Sequence, residues 1–248
     1  MKPDELRRRL EFYQDIGVKT LYRRPAAARP REANALDAAP AAAPPPQSSI
    51  VLPSLAPDGD TLPRILEDIG DCRRCRLHEG RNKLVFGVGD ERSPLVFVGE
   101  GPGADEDEQG IPFVGRAGQL LTQMIENTAR KEGIPLERKD VYICNVVKCR
   151  PPGNRTPEPD EMEICGQFLY RQLSAIAPKA ICALGGTAAR ALTGRKEGVT
   201  KLRGKWLEWR AIPVMVSYHP SYLLRPYNQD AKREAWEDLK KVLHFVYD

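Results

Sequence analysis

Four of the six cysteines constrain this chain more than anything else in it. Cys72 and Cys75 form a C-x-x-C pair, and Cys149 and Cys165 follow far downstream with fifteen residues between them. Thiolates at such positions can share one metal centre, which would tie the start of a domain to its middle. Three chemistries suit them. Thiol redox work needs only the C-x-x-C and leaves Cys149 and Cys165 idle. Zinc would use all four, yet zinc ligands usually come as two close knuckles, and here the second pair is spread across a loop and a helix. A [4Fe–4S] cluster accepts widely separated cysteines, so the spacing favours it. Cys144 and Cys182 fall inside apolar runs and read as inert core thiols.

The 248 residues allow one sizeable domain plus extensions. No apolar run approaches the roughly 18–20 residues of a membrane span, and the opening MKPDELRRRLEFYQ lacks the apolar centre of a secretory leader. The expected setting is therefore soluble and cytoplasmic. Structural disulfides are rare in such a reducing compartment, which again points the C-x-x-C toward metal or redox chemistry. A net charge of +4 is only mildly basic, but six Lys or Arg against two Glu lie between Arg195 and Arg210. Lys148, Arg150 and Arg155 also crowd one loop, and such clusters suit a nucleic-acid surface as well as a solvated one.

Leu6, Leu10, Tyr13 and Ile16 fall at helical intervals, so residues 1–20 are expected to hold a short amphipathic helix. Residues 21–60 are dominated by Ala and Pro, cannot bury enough apolar surface to offset chain entropy, and are expected to be a disordered linker. A single domain is expected over 61–248. LPRILEDI reads as a helix leading to Cys72, and PLVFVGE, VYICNVV, KAICALG and IPVMVSYHP read as buried strands. Helices are expected over Gly118–Lys131, from Pro157 through Cys165 and Phe168, over GTAARALTG, and over Gln229–Tyr247. Strands alternating with helices predict an α/β fold of three layers, a central mainly parallel sheet flanked by helices.

In such a sheet, sites form outside the carboxyl ends of the strands. Three ends carry informative residues: Glu100 to Glu108 after the first strand, Asn145 at the second, and His219 after the last. The acidic stretch alone would be an exposed loop, a lone His is usually structural, and an Asn after a strand is usually a turn former. The GEGPG turn, Gly99 to Gly103, is neither a P-loop nor a full dinucleotide fingerprint, and Pro102 removes a backbone donor, so no nucleotide cofactor is expected. Close approach of backbone to a flat ligand is a better use, with Phe113 available to stack or to serve the core.

Taken in order, GEGPGADEDEQGIPFVGRAGQLL, VYICNVVKCRPPGNRTP with Cys165, and YHPSYLLR resemble the family 4 uracil-DNA glycosylases, the iron–sulfur branch of that superfamily, from about Leu62 to His244. The resemblance implies that Cys72, Cys75, Cys149 and Cys165 hold the cluster. It implies that Gly99, Glu100 and Gly101 border the uracil, that Phe113 stacks on it and that Asn145 reads its edge. His219 would lie near the uracil O2, Glu106 would have a catalytic role beside Glu100, and Ser221 to Arg225 would enter the minor groove with Leu223 or Leu224 as wedge. The best-known branch has an aspartate where Gly101 stands and a tyrosine where Gly103 stands, so the water-activating acid and the barrier to thymine must come from elsewhere.

The expected activity is excision of uracil from single- or double-stranded DNA by a monomer, starting base excision repair. The flipped nucleotide leaves a gap that an apolar wedge fills, and Asn145 can donate to O4 while accepting from N3–H, the reverse of what cytosine presents. The alternatives are a metal-stapled DNA-binding protein without glycosylase activity and, third, a thiol oxidoreductase.

Overall fold

The computed structural model describes residues 59–225 and 227–248. Except for residues 59 and 60, the expected N-terminal helix and Ala/Pro-rich linker lie outside the described residues. Six strands form one sheet: β1 (Val88–Gly89), β2 (Leu95–Gly99), β3 (Tyr142–Asn145), β4 (Ala180–Leu184), β5 (Trp206–Trp209) and β6 (Ile212–Ser217). Their order is β1-β3-β2-β4-β6-β5. The four inner strands are parallel, with Gly99 opposite Asn145 and Leu184 opposite Ser217, so the carboxyl ends align. The outer two run antiparallel to their neighbours.

Helices enter in chain order as α1 (Leu62–Ile69), α2 (Ala104–Gln109), α3 (Arg116–Lys131), α4 (Pro159–Ile176), α5 (Gly186–Thr193), the single turns α6 (Val199–Leu202) and α7 (Pro220–Leu223), and α8 (Gln229–Tyr247). Thr61 caps α1 by accepting the Arg64 N–H. The helix expected from Pro157 starts two residues later, because Pro159 takes the first helical position and Glu161 accepts the Glu158 N–H at 2.7 Å.

Alternation along the strands divides the core. Val96, Val98, Ile181, Val214 and Val216 face Ile65, Leu169 and Ala188 on one side. Leu95, Phe97, Cys182 and Met215 face Leu121, Ile125, Leu239 and Val242 on the other. The three-layer α/β expectation therefore holds. Each fully buried side chain of this size contributes roughly 1.5–3 kcal/mol, and both sheet faces carry a continuous set.

The sheet also has two edge strands, β1 and β5, beyond the four apolar runs that the sequence predicts as strands. The bland alternative for the acidic segment, an exposed loop, does not hold: it is the helix α2, where Glu106 and Asp107 are buried and Asp107 accepts the Asn82 N–H at 3.0 Å. Lys148, counted among the surface charges, is fully buried, so the basic loop loses one of its three cations.

Candidate active site

A cleft of about 210 Å³ lies across the carboxyl ends of β2, β3 and β6, lined among others by Glu100, Gly101, Glu106, Phe113, Asn145, His219 and Ser221. All three strand ends singled out in the sequence thus meet in one place. The Val146 N–H donates to Gly99 O at 3.0 Å and the Val147 N–H to Glu100 O at 3.2 Å, which clamps the glycine turn against the end of β3. Gly99 is required there, since a Cβ would stand 2.4 Å from Asn145 Oδ1 and 2.5 Å from the Phe113 ring. Gly101 is similarly confined by Val147, 2.7 Å from where its Cβ would be. Asn145 is buried, and its Oδ1 has no hydrogen-bond partner among the described residues. A buried acceptor left open beside a cleft is costly until a ligand N–H meets it.

Phe113 has φ of +55°, an uncommon conformation for an aromatic residue. Glu106 holds it there: one carboxylate oxygen accepts the N–H groups of Val114 and Gly115 at 2.9 Å each, and the other accepts the Gly103 N–H at 3.1 Å. Gly118 in the first turn of α3 admits the same loop, for a Cβ would fall 1.9 Å from the Phe113 carbonyl. From behind, Arg138 donates to Pro112 O at 2.7 Å. Glu100 is held differently, among the described residues by a single hydroxyl, that of Thr187 on α5.

His219 caps α7. Its Nδ1 accepts the Ser221 N–H at 3.2 Å and lies 2.7 Å from Ser221 Oγ. Because a backbone amide can only donate, the neutral ring carries its proton on Nε2. Burial pushes its pKa down to about 4, against the opposing charge of Glu106, so the ring is neutral at pH 7. Its centroid lies 5.7 Å from that of Phe113. Beyond it, Leu223 packs inward with Tyr218, Ala231 and Ala235, whereas Leu224 is 39% exposed. Arg225 is exposed, its guanidinium 5.7 Å from the centre of the Tyr222 ring.

Cys72, Cys75, Cys149 and Cys165 line one small cavity, walled by Ile69, Leu84, Ile164 and Phe168. N–H donors meet their sulfurs: Arg81 at 3.2 Å from Cys149, the Lys148 amide at 3.2 Å from Cys165, Arg74 at 3.6 Å from Cys72, and the Leu77 amide at Cys75. Burial pushes the Cys165 thiol up to about 12, so a thiolate there needs a cation beside it. Among the described residues no three His, Cys, Asp or Glu side chains gather as a single metal ion would require. Lys148 links the cavity to the cleft: its Nζ donates to Asn145 O at 2.8 Å and to Gln172 Oε1 at 2.5 Å.

Arg138, Thr187, Gln172 and the inward course of Lys148 were not among the residues the sequence singled out. Most of their partners are distant in the chain, as with Thr187 and Glu100, 87 residues apart. Only the position of Thr187 just after a strand-end glycine pair offered a signal.

This sheet, with its cleft at the carboxyl edge, defines the class of the uracil DNA glycosylase superfamily, whose family model matches residues 86–240. That match begins after Cys72 and Cys75. The chain is 47% identical over 184 residues to a type-4 uracil-DNA glycosylase of Thermotoga maritima, covering 73% of this chain and 93% of that one. It is 43% identical over 191 residues to the type-4 enzyme of Archaeoglobus fulgidus, covering 74% and 92%. A type-5 uracil-DNA glycosylase of Pyrobaculum aerophilum is 32% identical over 169 residues, covering 62% and 71%. The chain belongs to the type-4 uracil-DNA glycosylases.

Proposed function

We propose that this protein takes uracil from DNA, drawing the flipped nucleotide into the cleft and hydrolysing its N-glycosidic bond. The observation that carries the reading is the unpartnered, buried Oδ1 of Asn145 at the cleft wall. Uracil N3–H satisfies that acceptor and O4 accepts a hydrogen bond from the amide N–H, while cytosine offers neither. Phe113 stacks on the base. As the bond breaks, negative charge gathers on the uracil, and the Nε2–H of neutral His219 donates to O2. Glu100 faces the cationic sugar or orients water; Glu106, the second candidate for that role, is held by three backbone amides and also shapes the loop that carries Phe113. Leu224 is the wedge, with Ser221 and Arg225 beside it on the DNA.

Cys72, Cys75, Cys149 and Cys165 would hold a [4Fe–4S] cluster. Such a cluster takes one thiolate at each iron, so sulfurs arranged round a cavity suit it, and N–H donors to sulfur are its usual surroundings. Bound there, it would cross-link the segment after α1, the loop after β3 and α4, and would supply no electrons, since hydrolysis moves none. The protein acts as a monomer in the cytoplasm without a nucleotide cofactor; no described helix is long and apolar enough to cross a membrane.

A labelled oligonucleotide containing one uracil, incubated with the protein and then treated with alkali, should be cut at that position. Asn145→Ala should lower the single-turnover rate about 100-fold or more, on the scale of losing one oriented donor to the transition state. Binding without strand scission would return the alternative of a DNA-binding protein. Anaerobic material should be brown and contain iron and sulfide; stoichiometric zinc with neither would overturn the cluster.

A further inference from the structure

The cleft draws its recognised residues from the ends of β2, β3 and β6, yet β4 lies between β2 and β6 in the sheet. The end of β4 leads through Gly185, with φ of +94°, straight into α5. Thr187, in the first turn of that helix, is buried, and its hydroxyl donates to Glu100 Oε2. Glu100 itself is half-buried and lines the cleft. Among the described residues this is the single hydrogen bond recorded for the Glu100 side chain, in contrast to the three amides on Glu106.

We propose that Thr187 is the positioning residue for Glu100, fixing the carboxylate by one oxygen so that the other is presented to the reacting sugar or water. This rests on the role given to Glu100 above. A glutamate has three side-chain torsions, and without an anchor its carboxylate would sample the width of the cleft. Thr187, β-branched and packed at 8% exposure, has little freedom of its own. Its bond to Glu100 therefore transfers the rigidity of the central strand and helix to a side chain at the end of β2. The effect belongs to chemistry and not to binding, because Thr187 is not among the residues lining the cleft.

Thr187→Val keeps the shape and removes the hydroxyl; Thr187→Ser keeps the hydroxyl and removes the methyl. With uracil-containing DNA at saturation, Thr187→Val should lower the single-turnover rate about 10-fold or more, as small misplacements of a reacting group do, while the half-saturating DNA concentration stays unchanged. Thr187→Ser should restore most of the rate. In a Glu100→Gln background, Thr187→Val should add no further loss, since the residue acts through the carboxylate. Should the valine variant be insoluble, Thr187→Ala carries the same expectations. A full rate in the valine variant, or a loss that multiplies with that of Glu100→Gln, overturns the proposal while leaving Glu100 its role. A full rate in Glu100→Gln alone removes the role of Glu100 and the proposal with it.

Discussion

His219 shows how its surroundings set the protonation state of a side chain. Burial holds its pKa near 4, and the Ser221 amide fixes the proton on Nε2. The folded protein therefore binds a proton here only near pH 4, while the unfolded chain does so from about 6.5 downward. This group's contribution to stability is complete above pH 6.5 and lost as the pH falls toward 4. In nitrogen NMR the His219 ring should stay neutral, with an Nε2 proton, down to about pH 5; an inflection near 6.5 would contradict the desolvated site. The two leucines of the following turn separate by burial. Leu223→Ala should cost about 2–5 kcal/mol in a urea melt, because Leu223 is 1% exposed, with excision affected only through folding. Leu224→Ala should leave the melt within about 0.5 kcal/mol of wild type, as surface changes do. It should slow excision from duplex DNA much more than from single strands, which have little stacking to break. Equal slowing on both substrates would remove the wedge.

Among the elements, β3 joins the two special regions, and Lys148 just beyond it carries the join. Its amide meets Cys165, its carbonyl accepts the Val85 N–H at 2.9 Å, and its Nζ ties Asn145 O to Gln172 on α4. Lys148→Met would leave two buried acceptors open, each worth about 1–3 kcal/mol. It should lower stability by about 2–4 kcal/mol and weaken binding of free uracil, while anaerobic protein keeps its colour; unchanged uracil affinity would show that Asn145 is held without it. The sequence could not reveal this join, because KCRPPGNR has the composition of a basic surface loop and Gln172 lies 24 residues away. The inner strands were legible for the opposite reason: strands covered on both faces become continuous apolar runs, as in LVFVG and AICAL. Two-residue β1 has no period to detect, and the burial of Glu106 comes from amides at positions 103, 114 and 115, which only the folded loop assembles. The site was legible where a motif named the residue and silent where a residue works by supporting another.

At the scale of the molecule, the question is how much chain the described fold needs. Both core sets are built from described residues between Leu62 and Val246, on the two faces of one sheet. The start is pinned by side chains: Arg171 on α4 donates to Asp60 at 2.6 Å and also pairs with Asp68, and Arg64 donates to Gly59 O at 2.9 Å. The Arg171–Asp60 pair is largely buried, so removing Asp60 would leave a guanidinium with one partner fewer in a desolvated place. A chain beginning at Asp60 should therefore keep its iron content, its melting temperature within about 2–4 °C and its excision rate on short oligonucleotides, a shift corresponding to about 1 kcal/mol or less in a domain this size. A chain beginning at Leu62 lacks both Asp60 and the Thr61 cap of α1, the helix that leads to Cys72 and Cys75, and should lose about 1–2 kcal/mol more from the cap alone. Thermal melts and iron assays on the two shortened chains and the full one decide it. If the chain from Asp60 loses iron or melts far below the full one, residues 1–59 contribute to the fold and the boundary at Asp60 is wrong. If the two shortened chains melt alike, the Arg171–Asp60 pair and the Thr61 cap carry no stability.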